Sequence, residues 1–137
     1  MSVDMSRRWI WKADRDFLLA TQVSEMFSDI AAFHYQQAAE KYLKAYLSFH
    51  GVGLKKTHNI GTLTLLASQL DPAFVQLAGV ADVDAITEFA TIFRYPNEED
   101  VDFPEAADLQ SARDFCVVAK RMVTDRIEGS SETGVPS

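Results

Sequence analysis

Arg94 is the only base in a segment, residues 71–108, that carries ten acidic side chains, and it is followed directly by Tyr95 and Pro96. A guanidinium in that setting has two uses. It can close a structural salt bridge to a nearby carboxylate such as Glu98 or Glu99. It can also take up a phosphate, whose oxygens match its rigid donor fork. The three histidines, His34, His50 and His58, supply the other acid–base groups. No HExxH and no Cys/His cluster occurs, so a zinc site is not expected. The run "NEED" at 97–100 reads as a solvated acidic loop, with a weak hard-cation site as the alternative. "GVG" at 51–53 is too short for a phosphate loop and follows a helix rather than a strand. No Ser, His and Asp spacing marks a nucleophile. No metal or cofactor is expected.

A second group of candidates lies between Lys41 and His58. Lys41, Lys44, Lys55, Lys56 and His58 fall there with no carboxylate among them. The first two belong to the stretch "FHYQQAAEKYLKAYLSFHG", Phe33–Gly51, which reads as one long helix ending at a glycine. At about 100° per residue, Ala31, Tyr35, Ala38, Ala39, Tyr42, Tyr46 and Phe49 share a broad face that should pack on the rest of the molecule. Gln37, Glu40, Lys41, Lys44 and Ser48 share the opposite face. Glu40 and Lys44 there are a favourable (i, i+4) pair, worth about 0.3–0.5 kcal/mol on a solvated helix. Phe33 and Leu47 fall on that polar face as well. Large apolar groups among amides and charges are the pattern of an interface, with scattered exposed apolars as the plain alternative.

The elements that must position these residues are helical throughout, since no alternating strand pattern persists. The periodicity predicts helices from about Ser6 to Val23 and from about Asp29 to His50. A third is capped by Asn59 and runs to Leu70. A fourth region runs from the Asp71–Pro72 pair to about Phe93, with a break or kink at Gly79. The loop "RYPNEEDVDFP" follows, because Pro96 and Pro104 both interrupt helix. A fifth helix opens in Asp102–Glu105 and runs to about Ile127, and the tail from Gly129 is expected to be disordered. The fold class is therefore all-α, an up-and-down bundle of four to five helices, in a single domain over residues 1–128.

Composition fits that reading. At 137 residues and 47% hydrophobic, the chain can bury a core without metals or disulfides, and its one cysteine, Cys116, excludes an internal disulfide. No apolar run approaches the roughly 18 residues that span a membrane. No signal-peptide pattern follows Arg7, Arg8 and Lys12. A cytoplasmic protein is expected. The net charge of −7 disfavours non-specific nucleic-acid binding.

Four segments in combination resemble the HEPN domain family: "WKADRDF" (Trp11–Phe17), "FHYQQAAEKYLKAYL" (Phe33–Leu47), "KTHNI" (Lys56–Ile60) and "FRYP" (Phe93–Pro96). The resemblance spans about residues 8 to 127. It implies a four- or five-helix bundle that is commonly a homodimer, often working with a minimal nucleotidyltransferase in paired or toxin–antitoxin systems. Many such proteins are metal-independent ribonucleases whose site is an Arg followed four to six residues later by a His, formed at the dimer interface. Here those positions after Arg94 hold Glu99, Asp100 and Val101, and no histidine follows His58. The leading expectation is a non-catalytic binding module that contacts nucleotide or RNA through Arg94, Lys41, Lys44, His58 and Gln37, with Phe33, Leu47 and Tyr95 at an interface. Folding back of the bundle would then gather Lys41, Lys44 and Arg94 in one cleft, with Lys12 outside it. The alternatives are a toxin-type ribonuclease in which His58 reaches Arg94, and a purely structural interaction domain.

Overall fold

The computed structural model describes residues 3–53, 56–96, 98 and 101–133. All regular structure among them is helical. The long helices are α1 (Val3–Val23), α2 (Ser28–Phe49) and α6 (Ala106–Thr133). Between α2 and α6 come α3 (Ile60–Leu70), a 3₁₀ turn (Pro72–Gln76), α4 (Leu77–Val80) and α5 (Val83–Glu88).

Helix α2 is the centre of the molecule. It packs on α1 along most of its length and on α6 and α3 elsewhere, while α1 and α6 meet little. Its composition explains this position. Ala31, Ala32, Ala38, Ala39 and Ala45 are buried, and small side chains let neighbouring helices approach closely. Ala13 and Ala20, two turns apart on α1, supply the matching small surface. Tyr35, Tyr42, Leu43 and Phe49 fill the remaining space together with Phe74, Phe115, Cys116 and Val123. The predicted core face of this helix is therefore observed.

The helix ends follow their local chemistry. Gly51 has φ 69°, a left-handed conformation that glycine adopts without penalty. Around it, Val52 N–H donates to Leu47 O at 3.0 Å and Gly51 N–H to Ser48 O at 3.0 Å, which closes α2 with a Schellman motif. Asn59 caps α3 by accepting from Thr62 N at 2.9 Å. Asp71 accepts from Ala73 N at 3.0 Å, ahead of Pro72 in the first turn.

Three expectations are corrected. The fourth helix is not continuous: it is split into the 3₁₀ turn, α4 and α5. The break lies at Ala81, which is extended (φ −153°, ψ 159°), and not at Gly79. Asp82 then restarts the chain as a new cap, accepting from Asp84 N at 3.0 Å and Ala85 N at 3.2 Å. At the C-terminus, α6 passes the expected end at Ile127 and continues to Thr133, so the first residues of the expected tail are helical. Residues 134–137 lie outside the described residues, as do Leu54, Lys55, Asn97, Glu99 and Asp100. The third correction concerns the polar side of α2, and it defines the site.

Candidate ligand-binding cleft and the buried polar stripe of α2

The polar stripe of α2 is mostly inside the molecule. Gln36, Glu40, Lys44 and Leu47 are all buried, so Leu47 is a core residue and not an exposed interface one. The stripe is covered on one side by α1 and on the other by the segment that leads into α3. Each cover is held by ionisable groups.

On the α3 side, the Glu40 carboxylate is the hub. Lys44 Nζ donates to its Oε2 at 3.2 Å, and Oε1 accepts from His58 Nδ1 at 2.7 Å. Gln36 Nε2 sits 3.4 Å from both Glu40 Oε1 and the His58 carbonyl. Gln37 Nε2 in turn donates to Gln36 Oε1 at 2.7 Å. Because a carboxylate only accepts, Nδ1 of His58 carries the proton, and the imidazole is fixed in one orientation with its ring 69% exposed. The Glu40–Lys44 side chains are 5% and 8% exposed, so this pair is a buried one and not the solvated pair its spacing suggested. The Lys44 ammonium also lies 5.8 Å from the Trp9 ring centroid.

On the α1 side, Asp16 is the hub. Its Oδ2 accepts from Lys41 Nζ at 2.5 Å and its Oδ1 pairs with His34 Nδ1 at 2.9 Å. Two residues earlier on α1, Asp14 accepts from the Tyr42 hydroxyl at 2.5 Å and pairs with Lys120 Nζ at 2.9 Å. Burial, and then the bond to Asp14, pushes the Tyr42 hydroxyl far above the ordinary phenol range, so Tyr42 acts as a permanent donor.

Arg94 lies elsewhere on the surface. Its guanidinium stacks on Phe33, 4.6 Å from the ring centroid, and is 5.7 Å from the centroid of Tyr95, which is 67% exposed. With Asp29, Ile30, Phe33 and Phe93 it lines a cleft of about 260 Å³. Among the described residues no ion pair joins Arg94 to a carboxylate, and Glu98 is one of those residues. Phe33 is half-buried beneath this cation, edge-on to His34 at 5.1 Å.

The expected convergence of Lys41, Lys44 and Arg94 therefore does not occur as a three-cation cleft. Lys41 is matched by Asp16 and Lys44 by Glu40, while Arg94 sits at Phe33, about 16 Å along the helix axis from Lys44. His58 bonds to Glu40, not to Arg94. Lys12, expected outside the cluster, instead shares a groove of about 400 Å³ with Lys41, Arg8, Trp9 and Met5. Sequence reasoning missed Asp16 and Trp9. Asp16 lay inside the quoted Trp11–Phe17 segment but its partners are on another helix, so no role was read for it, whereas Trp9 preceded that segment by two positions. The acidic-loop cation site of 97–100 falls largely outside the described residues, among which no group of three or more metal-ligating side chains occurs.

The segments gathered around this stripe (Trp11–Phe17, Phe33–Leu47 and Lys56–Ile60) are those that carried the family resemblance, and the HEPN domain family matches residues 6–128. The chain belongs to the HEPN family. Its fold is similar to the crystal structure of ST0689, an archaeal HEPN homologue, at a TM-score of 0.64 and 25% identity, covering 89% of this chain and 97% of that one. No curated protein matches the sequence. In this HEPN chain the Gln36–Glu40–Lys44 motif and the Lys56-Thr57-His58 motif are two halves of one latch: the helix supplies the buried charges and the segment supplies the imidazole. No helix among the described residues is long and apolar enough to cross a membrane.

Proposed function

We propose that this chain is a non-catalytic HEPN-type binding module that dimerises, works with a minimal nucleotidyltransferase and contacts nucleotide or RNA at the Arg94 cleft. The observation that carries the reading is the Arg94 guanidinium, exposed beside the cleft, stacked on Phe33 and flanked by the exposed ring of Tyr95. A guanidinium held over an aromatic face by its carbon still has N–H groups to offer phosphate oxygens. An exposed phenol next to it offers a surface on which a base can stack. Asp29 on the same rim opposes an anion there and favours a ligand that also carries donors, as nucleobases do.

The absence of catalysis in this reading rests on the histidines. The positions where the family's ribonucleases carry the acid–base histidine hold Glu99, Asp100 and Val101. His58 is committed to Glu40 and His34 to Asp16. Lys41, Lys44, His58 and Gln37 join the ligand contact only by exchanging their present partners, so they act after Arg94.

Calorimetric titration of a nucleotide panel and a short RNA tests the proposal. Binding that weakens with salt, and at least tenfold with Arg94→Ala (about 1.4 kcal/mol), is expected. No binding to any of them at low salt, or an Arg94→Ala variant that binds like wild type, would leave Arg94 without a ligand role.

A further inference from the structure

The flank of α1 beside Lys41 forms a groove that the Arg94 cleft does not share. Met5, Arg8, Trp9 and Lys12 stand at i, i+3, i+4 and i+7, one side of the helix, and with Lys41 of α2 they line a volume of about 400 Å³. That lies near the lower end of the roughly 300–1,000 Å³ of small-molecule sites. The lining divides by chemistry. Trp9 and Met5 supply an indole and a thioether, and Arg8, Lys12 and Lys41 supply three cations. Among the described residues no carboxylate lines the groove.

The three cations are not equivalent. Lys41 is matched by Asp16, which follows Lys12 by one turn of α1 and also binds His34. Lys44, whose ammonium lies 5.8 Å from the Trp9 ring centroid, is matched by Glu40. Arg8 and Lys12 are exposed, and among the described residues neither joins an ion pair. Of the other carboxylates of α1, Asp14 serves Tyr42 and Lys120, and Asp4, in the first turn, does not line the groove. The groove therefore carries two positive charges for which α1 and α2 supply no counter-charge.

We propose that this groove binds a small aromatic phosphate monoester, its ring against Trp9 and Met5 and its phosphate against Arg8 and Lys12. A phosphate monoester carries a charge of about −1.5 to −2 at pH 7, which matches the two unpaired cations. Its oxygens suit the donor fork of Arg8 and the ammonium of Lys12. Lys41 has three N–H donors and spends one on Asp16, so it adds a further contact without giving up its partner. The apolar part of the lining favours a ring. An indole stacks on an aromatic body, and a thioether sulfur packs well at a ring edge. A monoanion would leave one cation unmatched, and inorganic phosphate would leave the indole and thioether unused. The site is separate from the Arg94 cleft: Lys41 lies eight residues beyond Phe33 on α2, about 12 Å along the helix axis.

Calorimetric titration of the full chain with phenyl phosphate tests the proposal, with phenol and inorganic phosphate as the two halves of the ligand. Phenyl phosphate is expected to bind at one site, and each half at least tenfold more weakly. Arg8→Gln and Lys12→Gln should each weaken phenyl phosphate at least fivefold, while Arg94→Ala leaves it unchanged. Arg8 and Lys12 are exposed, so circular dichroism and melting temperature should stay close to wild type. Trp11→Phe leaves Trp9 as the single indole, and its emission should change saturably as the ligand enters. No binding of phenyl phosphate, or inorganic phosphate binding as well as the ester, would overturn the site. Loss of binding in Arg94→Ala would place the ligand at the other cleft and overturn it too. A short RNA that depends on Arg8 and Lys12 while phenyl phosphate does not bind would make the groove a polymer contact instead. None of these outcomes depends on whether Arg94 itself holds a ligand, so the two readings fail separately.

Discussion

Glu40 is the single side chain on which the packing of the α3 lead-in depends. Its carboxylate neutralises a buried lysine and fixes the ring of His58. Replacing it by alanine leaves Lys44 buried without its counter-charge and frees the 56–59 segment. Glu40→Ala should therefore destabilise the fold by about 3 kcal/mol, read as a lower denaturant midpoint, while Lys120→Ala, at a half-exposed pair, should change it by less than about 1 kcal/mol. Asp71 is a different case. The Ala73 N–H and the Arg126 guanidinium, whose Nε donates at 2.6 Å, hold its carboxyl below the ordinary value of 3.8. A depressed carboxyl contributes stability that is full above its unfolded value and lost as pH falls through the folded one. Asp71→Ala should thus cost about 1 kcal/mol at neutral pH, chiefly through the lost cap, and the gap to wild type should narrow below pH of about 4. Cys116 is fully buried, and burial pushes its thiol far above the ordinary range, so no thiolate forms in the native state. A thiol reagent at pH 8 should label Cys116 only at the rate of unfolding; rapid native-state labelling would contradict that burial.

At the scale of elements, the bundle depends on how closely α1 approaches α2. Ala13 lies in that contact with no exposed surface. Ala13→Leu should overpack it and destabilise by about 1–3 kcal/mol, whereas Ala106→Leu, on the exposed first turn of α6, should be near neutral. The long helices were legible because their information is local: Asn59, Gly51 and the Asp71–Pro72 pair each cap or stop a helix through atoms within a few residues. The break at Ala81 was missed because Asp82 reads equally well as a mid-helix surface residue, and only its two backbone bonds reveal a cap. Periodicity also placed the core face of α2. It failed on the opposite face, where Leu47, Glu40 and Lys44 read as solvent-facing. A helix covered from every side keeps the charge pattern of an amphipathic one when its polar stripe is neutralised by partners on other elements. Asp16 and His58 are those partners, 25 residues before Lys41 and 18 after Glu40, and no window along the chain contains both halves of either pair.

For the whole molecule, the charge of −7 conceals an uneven distribution along the chain, with ten acidic side chains and the single base Arg94 in residues 71–108. The Arg94 cleft is mixed in charge, with the guanidinium and the Asp29 carboxylate both lining it. The family membership was legible from four short segments, and the all-α fold from helical periodicity and caps. The cleft was only half legible, since Arg94 and Phe33 were singled out for different reasons and only the folded chain stacks one on the other. The central claim is that Arg94 holds a ligand the protein does not cut. Fluorescence anisotropy of an end-labelled single-stranded RNA at low salt and without divalent metal, followed by a denaturing gel of the same samples, tests it most directly. Wild type should raise the anisotropy and return full-length RNA, and Arg94→Ala should shift the binding curve at least tenfold to higher protein concentration. RNA shortened by wild type but left whole by Arg94→Ala would contradict the claim and make the protein a ribonuclease.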